Sequence, residues 1–115
     1  MKNPRLKGIL PVIPTPFDDS GAIDADAFRR VVEFCVESGA GGVVFPGVAS
    51  EYDFLTSEEQ QSLTAVLCDV ARDRTPVICG GGKGDPATIG ANIRAAQGHG
   101  AIAAMVLVPK HYSTD

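Results

Sequence analysis

Positive charge is scarce in this chain. Its 10 lysines and arginines are outnumbered by 14 aspartates and glutamates, a net charge of −4 with a pI near 5.0. No basic patch can be assembled from that inventory, which argues against nucleic acid or an anionic membrane surface as a partner. Small anionic ligands remain compatible, because one local cation or a few backbone amides suffice to hold them. Long apolar runs are missing too: none approaches the ~18 residues a membrane span requires. The opening Met1-Lys2-Asn3-Pro4-Arg5-Leu6-Lys7 is basic, but no apolar h-region follows, so it reads as a short N-terminal arm and not a secretory signal. Paired cysteines are absent. Cys35, Cys68 and Cys79 are odd in number and widely spaced, and they form no CxxC. Neither His99 nor His111 stands at a metal-ligand spacing from them. The three read as reduced core thiols of a cytoplasmic protein. There is no low-complexity segment and no linker.

What is present is a repeat of apolar runs and helical stretches. The strand cores are Ile9-Leu10-Pro11-Val12-Ile13, Gly42-Val43-Val44-Phe45, Pro76-Val77-Ile78-Cys79 and Met105-Val106-Leu107-Val108. Continuous apolar runs of this kind suit parallel strands covered on both faces. Between them lie three helices. The first is expected from about Asp24 to Ser38, with Asp24 as N-cap, Phe28, Val31, Val32 and Cys35 as its apolar stripe, and Gly39 ending it. The second opens with a capping box, Thr56 and Glu59, and carries Leu63, Val66, Leu67 and Val70. The third starts at Asp85-Pro86, buries Ile89, Ile93 and Ala96, and ends in Gly98 and Gly100.

This is an α/β pattern with crossover helices. Four strand starts in 115 residues are half of what closes a barrel of about 250 residues. Residues 1–115 thus read as the N-terminal half of one (β/α)8 TIM barrel domain, about the first four βα units. An open flavodoxin-like sheet is the runner-up, since it repeats the same units. Coordinates with the first strand between the second and third would decide for the runner-up. A half-barrel also exposes its two edge strands, so a chain of this kind should be poorly soluble or paired with another copy.

In either architecture ligands bind at the carboxyl ends of the strands. The loops there are Pro14–Phe17, Pro46–Glu51, Gly80–Asp85 and Pro109–Tyr112, all rich in Gly, Pro or hydroxyl residues. The glycines of the third loop invite a phosphate-binding reading that the spacing does not support. A Walker pattern lacks its first glycine at Val77, and G-x-G-x-x-G lacks its third at Asp85 or Ala87. A tight strand-to-helix turn is the plain reading. Lys83 and Lys110 are loop lysines with no sign of the desolvation or neighbouring cation that would make an amine nucleophilic.

Those loops carry a resemblance. Gly8-Ile9-Leu10-Pro11-Val12-Ile13-Pro14-Thr15-Pro16-Phe17, with Asp18, Gly21, Ile23 and Asp24 after it, resembles the opening of the dihydrodipicolinate synthase and N-acetylneuraminate lyase family. Gly47-Val48-Ala49-Ser50-Glu51 followed by Leu55-Thr56-x-x-Glu59, then Pro76–Gly82, and then His111-Tyr112 fall in the family's order and spacing. The resemblance implies a (β/α)8 barrel that forms a Schiff base between a lysine and the keto carbon of pyruvate or another 2-oxo acid. It implies no metal and no organic cofactor. It also implies assembly as a homo-oligomer, dimer or tetramer, whose partner is a small-molecule 2-oxo acid. The lysine of such proteins lies on the sixth strand and a relay tyrosine on the fifth, both past Asp115, so the 115-residue chain is expected to be inactive by itself.

Carried over residue by residue, the resemblance makes Tyr112 a catalytic candidate, a tyrosine that reaches a neighbouring subunit's site and shuttles protons. Val48, Ala49 and Ser50 become the substrate-binding turn. In the synthase that turn reads Gly-Thr-Thr-Gly-Glu. Here Val48 and Ala49 replace the threonines and Ser50 the second glycine, so the hydroxyl relay is lost while backbone N–H groups can still grip a carboxylate. That favours a sister aldolase, dehydratase or decarboxylase over dihydrodipicolinate synthesis. A non-catalytic barrel that binds a metabolite or serves as a structural partner is the alternative. Glu51 matches the glutamate that braces its own loop, Thr15 reads as a turn-forming hydroxyl, and His111 is either a titrating specificity residue or a surface histidine.

Overall fold

The computed structural model describes residues 5–108. Side-chain caps set the start of each helix. In α1 (Ala25–Glu37) the Asp24 carboxylate accepts from the Ala27 N–H at 2.9 Å. In α2 (Ser57–Ala71) the capping box closes in both directions: Glu59 N–H donates to Thr56 Oγ1 at 3.0 Å, and Thr56 N–H donates to Glu59 Oε1 at 2.9 Å. In α3 (Pro86–His99) Asp85 accepts from Thr88 N–H at 2.8 Å, and Pro86 fills a position whose N–H would have no partner. Gly98 stays inside this helix; the chain turns one residue after His99, where Gly100 takes φ +123°. That positive φ is what only glycine adopts freely, so the second glycine ends the helix and the first does not.

The strands are β1 (Val43–Phe45), β2 (Val77–Gly80) and β3 (Ala103–Met105), all parallel in the order β1-β2-β3. Residues 9–13 join β1 by a single parallel bridge, Val12 to Val44. Alternating backbone directions show on which side. Val44 N–H donates to Pro11 C=O and Val44 C=O accepts from Ile13 N–H, while Val43 N–H donates to Pro76 on the opposite flank. The first extended segment therefore lies outside β1, and the four run in sequential order. This excludes the flavodoxin-like alternative. The segment is not a full strand because Pro11 has no N–H to give on the β1 side.

The fourth strand sits two residues earlier than the apolar run Met105–Val108 suggests. Its partner decides this: Ile78, Cys79 and Gly80 pair with Ala103, Ala104 and Met105, and β2 ends there. Val106, Leu107 and Val108 lie beyond the ladder and are exposed, Leu107 by 81%.

Two apolar layers cover the sheet. Val43, Phe45, Val77 and Cys79 point to the helices and pack with Phe28, Val32, Leu63 and Leu67. Phe28 and Phe45 meet edge to face with ring centroids 5.0 Å apart. Val44 and Ile78 point the other way and are also buried. A Cβ on Gly42 would sit 3.0 Å from Ile78 Cδ1 and from Leu10 Cδ2, which places these side chains together on that inner face. Outside the core, Arg74 meets Glu33 at 2.6 Å and Arg29 meets Asp69 at 3.1 Å, both tying α1 to α2 or its exit. α3 buries only Ala96 fully, with Ile89 and Ile93 half-buried.

Removing the ring at the centre of this packing tests the two-layer account. Phe28→Ala is expected to lower stability by about 3–5 kcal/mol in urea unfolding. Phe34→Ala on the same helix, at a side chain 69% exposed, is expected to stay within about 0.5 kcal/mol.

Candidate functional site

The parallel order brings the carboxyl ends of the extended segment, β1, β2 and β3 to one end of the sheet, and the loops that leave them form its mouth. The loop after β1 is the most structured. It passes a cis Phe45–Pro46 bond, makes a 3-10 turn at Val48–Ser50, reverses at Glu51 and makes a second at Tyr52–Phe54. Glu51 takes φ 59°, an uncommon backbone for a residue with a side chain. Its N–H donates to Val48 C=O at 3.0 Å and its C=O accepts from Phe54 N–H at 2.9 Å, so its bracing of the loop runs through the main chain. Gln60 of α2 supports the second turn, donating to Tyr52 C=O at 3.2 Å.

Ser50 is fully buried. Its Oγ donates to Ile13 C=O at 2.5 Å and accepts from Gly47 N–H at 3.0 Å, so the hydroxyl faces into the protein with both roles taken. The Ser50 carbonyl accepts from Thr15 Oγ1 at 2.6 Å. Thr15, expected to shape its own turn, instead holds the neighbouring loop 35 residues away. Val48 and Ala49 are exposed, Val48 by 82%. Among the described residues no acceptor faces the N–H of either one. Sequence reading thus placed Val48, Ala49 and Ser50 on one turn correctly. It missed that the hydroxyl is buried and partnered while the two amides have no acceptor among the described residues.

Beside this turn is a concavity of about 170 Å³ between Pro46–Val48, Gly80–Gly82 and Met105–Leu107, lined also by Tyr52. Gly80 makes the close approach possible: a Cβ there would fall 1.6 Å from Pro46 C=O. Lys83 is exposed and 3.8 Å from Asp53, an ion pair between the loops after β2 and β1. Tyr112, His111 and Lys110 lie outside the described residues. No three His, Cys, Asp or Glu side chains converge for a metal ion among those described.

The thiols are not activated nucleophiles. Burial raises all three above the ordinary value, and Cys79 is pushed up to about 11 by burial and by Cys68 beside it. Its Sγ donates to Gly80 C=O at 3.2 Å.

The Dihydrodipicolinate synthetase family model matches residues 5–115. The chain belongs to that family. Among its curated relatives, the 4-hydroxy-tetrahydrodipicolinate synthase of Mesorhizobium japonicum is 36% identical over 90% of this chain and 36% of its own length. The L-2-keto-3-deoxyarabonate dehydratase of Azospirillum brasilense is 32% identical over 96% of this chain and 36% of its own length. The crystal structure of a dihydrodipicolinate synthase from Bacillus anthracis superposes with a TM-score of 0.86 at 28% identity, covering 96% of this chain and 38% of that one. The chain spans a little over a third of the length of these relatives. Its four sequential parallel segments and three helices are an arc of the family's (β/α)8 barrel.

The raised Cys79 thiol has a consequence for pH. An unfolded thiol releases its proton near the ordinary 9.0, and the folded one holds it to about 11. Between those values the folded state binds more protons, so this contribution is complete below pH 9 and fades as pH rises toward 11. Urea midpoints should fall with pH across that window, and Cys79→Ala should flatten the slope.

Proposed function

We propose that the protein expressed from the complete gene is a lyase acting on pyruvate or another 2-oxo acid through a lysine Schiff base. The observation that supports this best is the turn at Gly47–Glu51. It stands at the strand mouth, with the amides of Val48 and Ala49 unpaired among the described residues and Val48 lining the concavity after β1, β2 and β3. Two unpaired, adjacent N–H groups can hold a substrate carboxylate without any side-chain hydroxyl. The keto carbon would then face a lysine amine; attack forms the C–N bond, and the carbonyl oxygen leaves as water to give the imine. The family places that lysine on strand six and a relay tyrosine on strand five, neither of them among these 115 residues. Tyr112 is the candidate for the tyrosine lent to a neighbouring subunit in a homo-oligomer, dimer or tetramer, working in the cytoplasm. Val48 and Ala49 in place of two threonines favour a sister aldolase, dehydratase or decarboxylase over dihydrodipicolinate synthesis itself.

Borohydride added to the intact protein with pyruvate and a panel of other 2-oxo acids should leave a stable adduct, read as a mass increase equal to the reduced imine. No adduct with any member of the panel would overturn the proposal and favour a non-catalytic, metabolite-binding barrel. The 115-residue chain by itself is expected to show no turnover, because an imine needs a desolvated amine and a proton relay in one pocket. Turnover by that chain, lost on Lys83→Ala or Lys110→Ala, would move the chemistry to a loop lysine.

A further inference from the structure

Thr15 and Ser50 form a buried polar clamp that joins the loop after the first extended segment to the loop after β1. We propose that this clamp positions the Val48–Ala49 turn, so that both are positioning residues and neither hydroxyl touches substrate. The inference rests on the reading of that turn as the carboxylate seat.

The geometry supports it at three points. The Ser50 hydroxyl donates to Ile13 C=O at 2.5 Å and accepts from Gly47 N–H at 3.0 Å, while Thr15 Oγ1 donates to Ser50 C=O at 2.6 Å. Ile13 and Ser50 are fully buried and Thr15 nearly so. No buried side-chain polar atom among the described residues lacks a partner, and the protons of both clamp hydroxyls are committed to main-chain carbonyls. Its position matters as much as its completeness. Gly47 and Ser50 bracket the two residues whose amides are free, and Ser50 N–H also returns to Gly47 C=O at 3.0 Å. The bracket is anchored through Ile13, whose own N–H is fixed to Val44 C=O at 2.9 Å. The direction of the Val48 and Ala49 amides is thereby referred to the sheet itself.

A glycine at position 50, as the synthase motif has it, offers no such hydroxyl. This chain lacks the threonine side chains that would share in holding the carboxylate. The aim of the amides therefore carries recognition by itself, and a side-chain bond fixes that aim. A group that orients a seat used equally before and during reaction changes KM and leaves kcat nearly alone. A group needed only for folding lowers the thermal midpoint and the active fraction, which scales kcat.

The test uses the protein from the complete gene and whichever 2-oxo acid it traps with borohydride. Thr15→Val keeps the shape of the side chain and removes the hydroxyl; Thr15→Ser restores it. Thr15→Val and Ser50→Ala should raise KM, and the concentration for half-maximal trapping, by about tenfold or more with kcat within about threefold. Thr15→Ser should sit near wild type. An unchanged KM in folded Thr15→Val, with only a lowered thermal midpoint, overturns the positioning role even if Ser50→Ala fails to fold. If the wild type forms no adduct with any 2-oxo acid, the carboxylate seat itself is lost, and the clamp's role falls with it.

Discussion

Val44 directs both of its backbone hydrogen-bonding groups to the segment that precedes it, and Val43 turns its N–H toward the strand that follows. This alternation along one short strand holds three chain segments in sequential order, β2 adds β3 as the fourth, and the turn at the mouth is built on it. Ile13 is placed by its bond to Val44, Ser50 is placed by its bond to Ile13, and the Val48–Ala49 amides are placed by Ser50. The same pairing leaves alternate side chains on opposite faces. Phe45 therefore meets Phe28 under the helices, while Val44 meets the inner layer formed with Ile78. Strand order, core and site geometry share one origin.

The helices were the most legible part of the chain, because their signals are local. Thr56 with Glu59, and Asp85 with Pro86, name their own capping bonds within four residues. Strand limits were less legible, because a strand ends where its partner ends. The run Met105–Val108 is apolar throughout, yet Ala103 and Ala104 are the residues that meet Ile78 and Cys79. Small side chains gave no sign of that, and hydrophobicity pointed two residues too far. At the first segment the signal was present in Pro11, whose missing N–H reduces a strand to one bridge.

At the site, the turn could be found from sequence but its orientation could not. A serine between an alanine and a glutamate carries no mark of whether it faces solvent or the sheet. Its partners Ile13 and Thr15 are 37 and 35 residues away, and only the fold brings them together. Thr15 was legible as a hydroxyl in a Thr-Pro turn, but not as the donor to another loop. Gly80 reads as one glycine in a run, whereas its need is the passage of the Pro46 carbonyl.

The outer flank of the first segment has a parity of its own. Ile9, Pro11 and Ile13 face β1 with the backbone groups that bond there, so Leu10 and Val12 present theirs to the opposite side. Pro14 falls on that same outward side and offers no N–H. In a closed barrel this flank faces the last strand, which finds donors at the Leu10 and Val12 rungs and none at Pro14. A closing strand in a slipped register loses one of those rungs. Two prolines three residues apart thus act on opposite flanks: Pro11 loosens the segment from β1, and Pro14 limits the register in which a closing strand can attach.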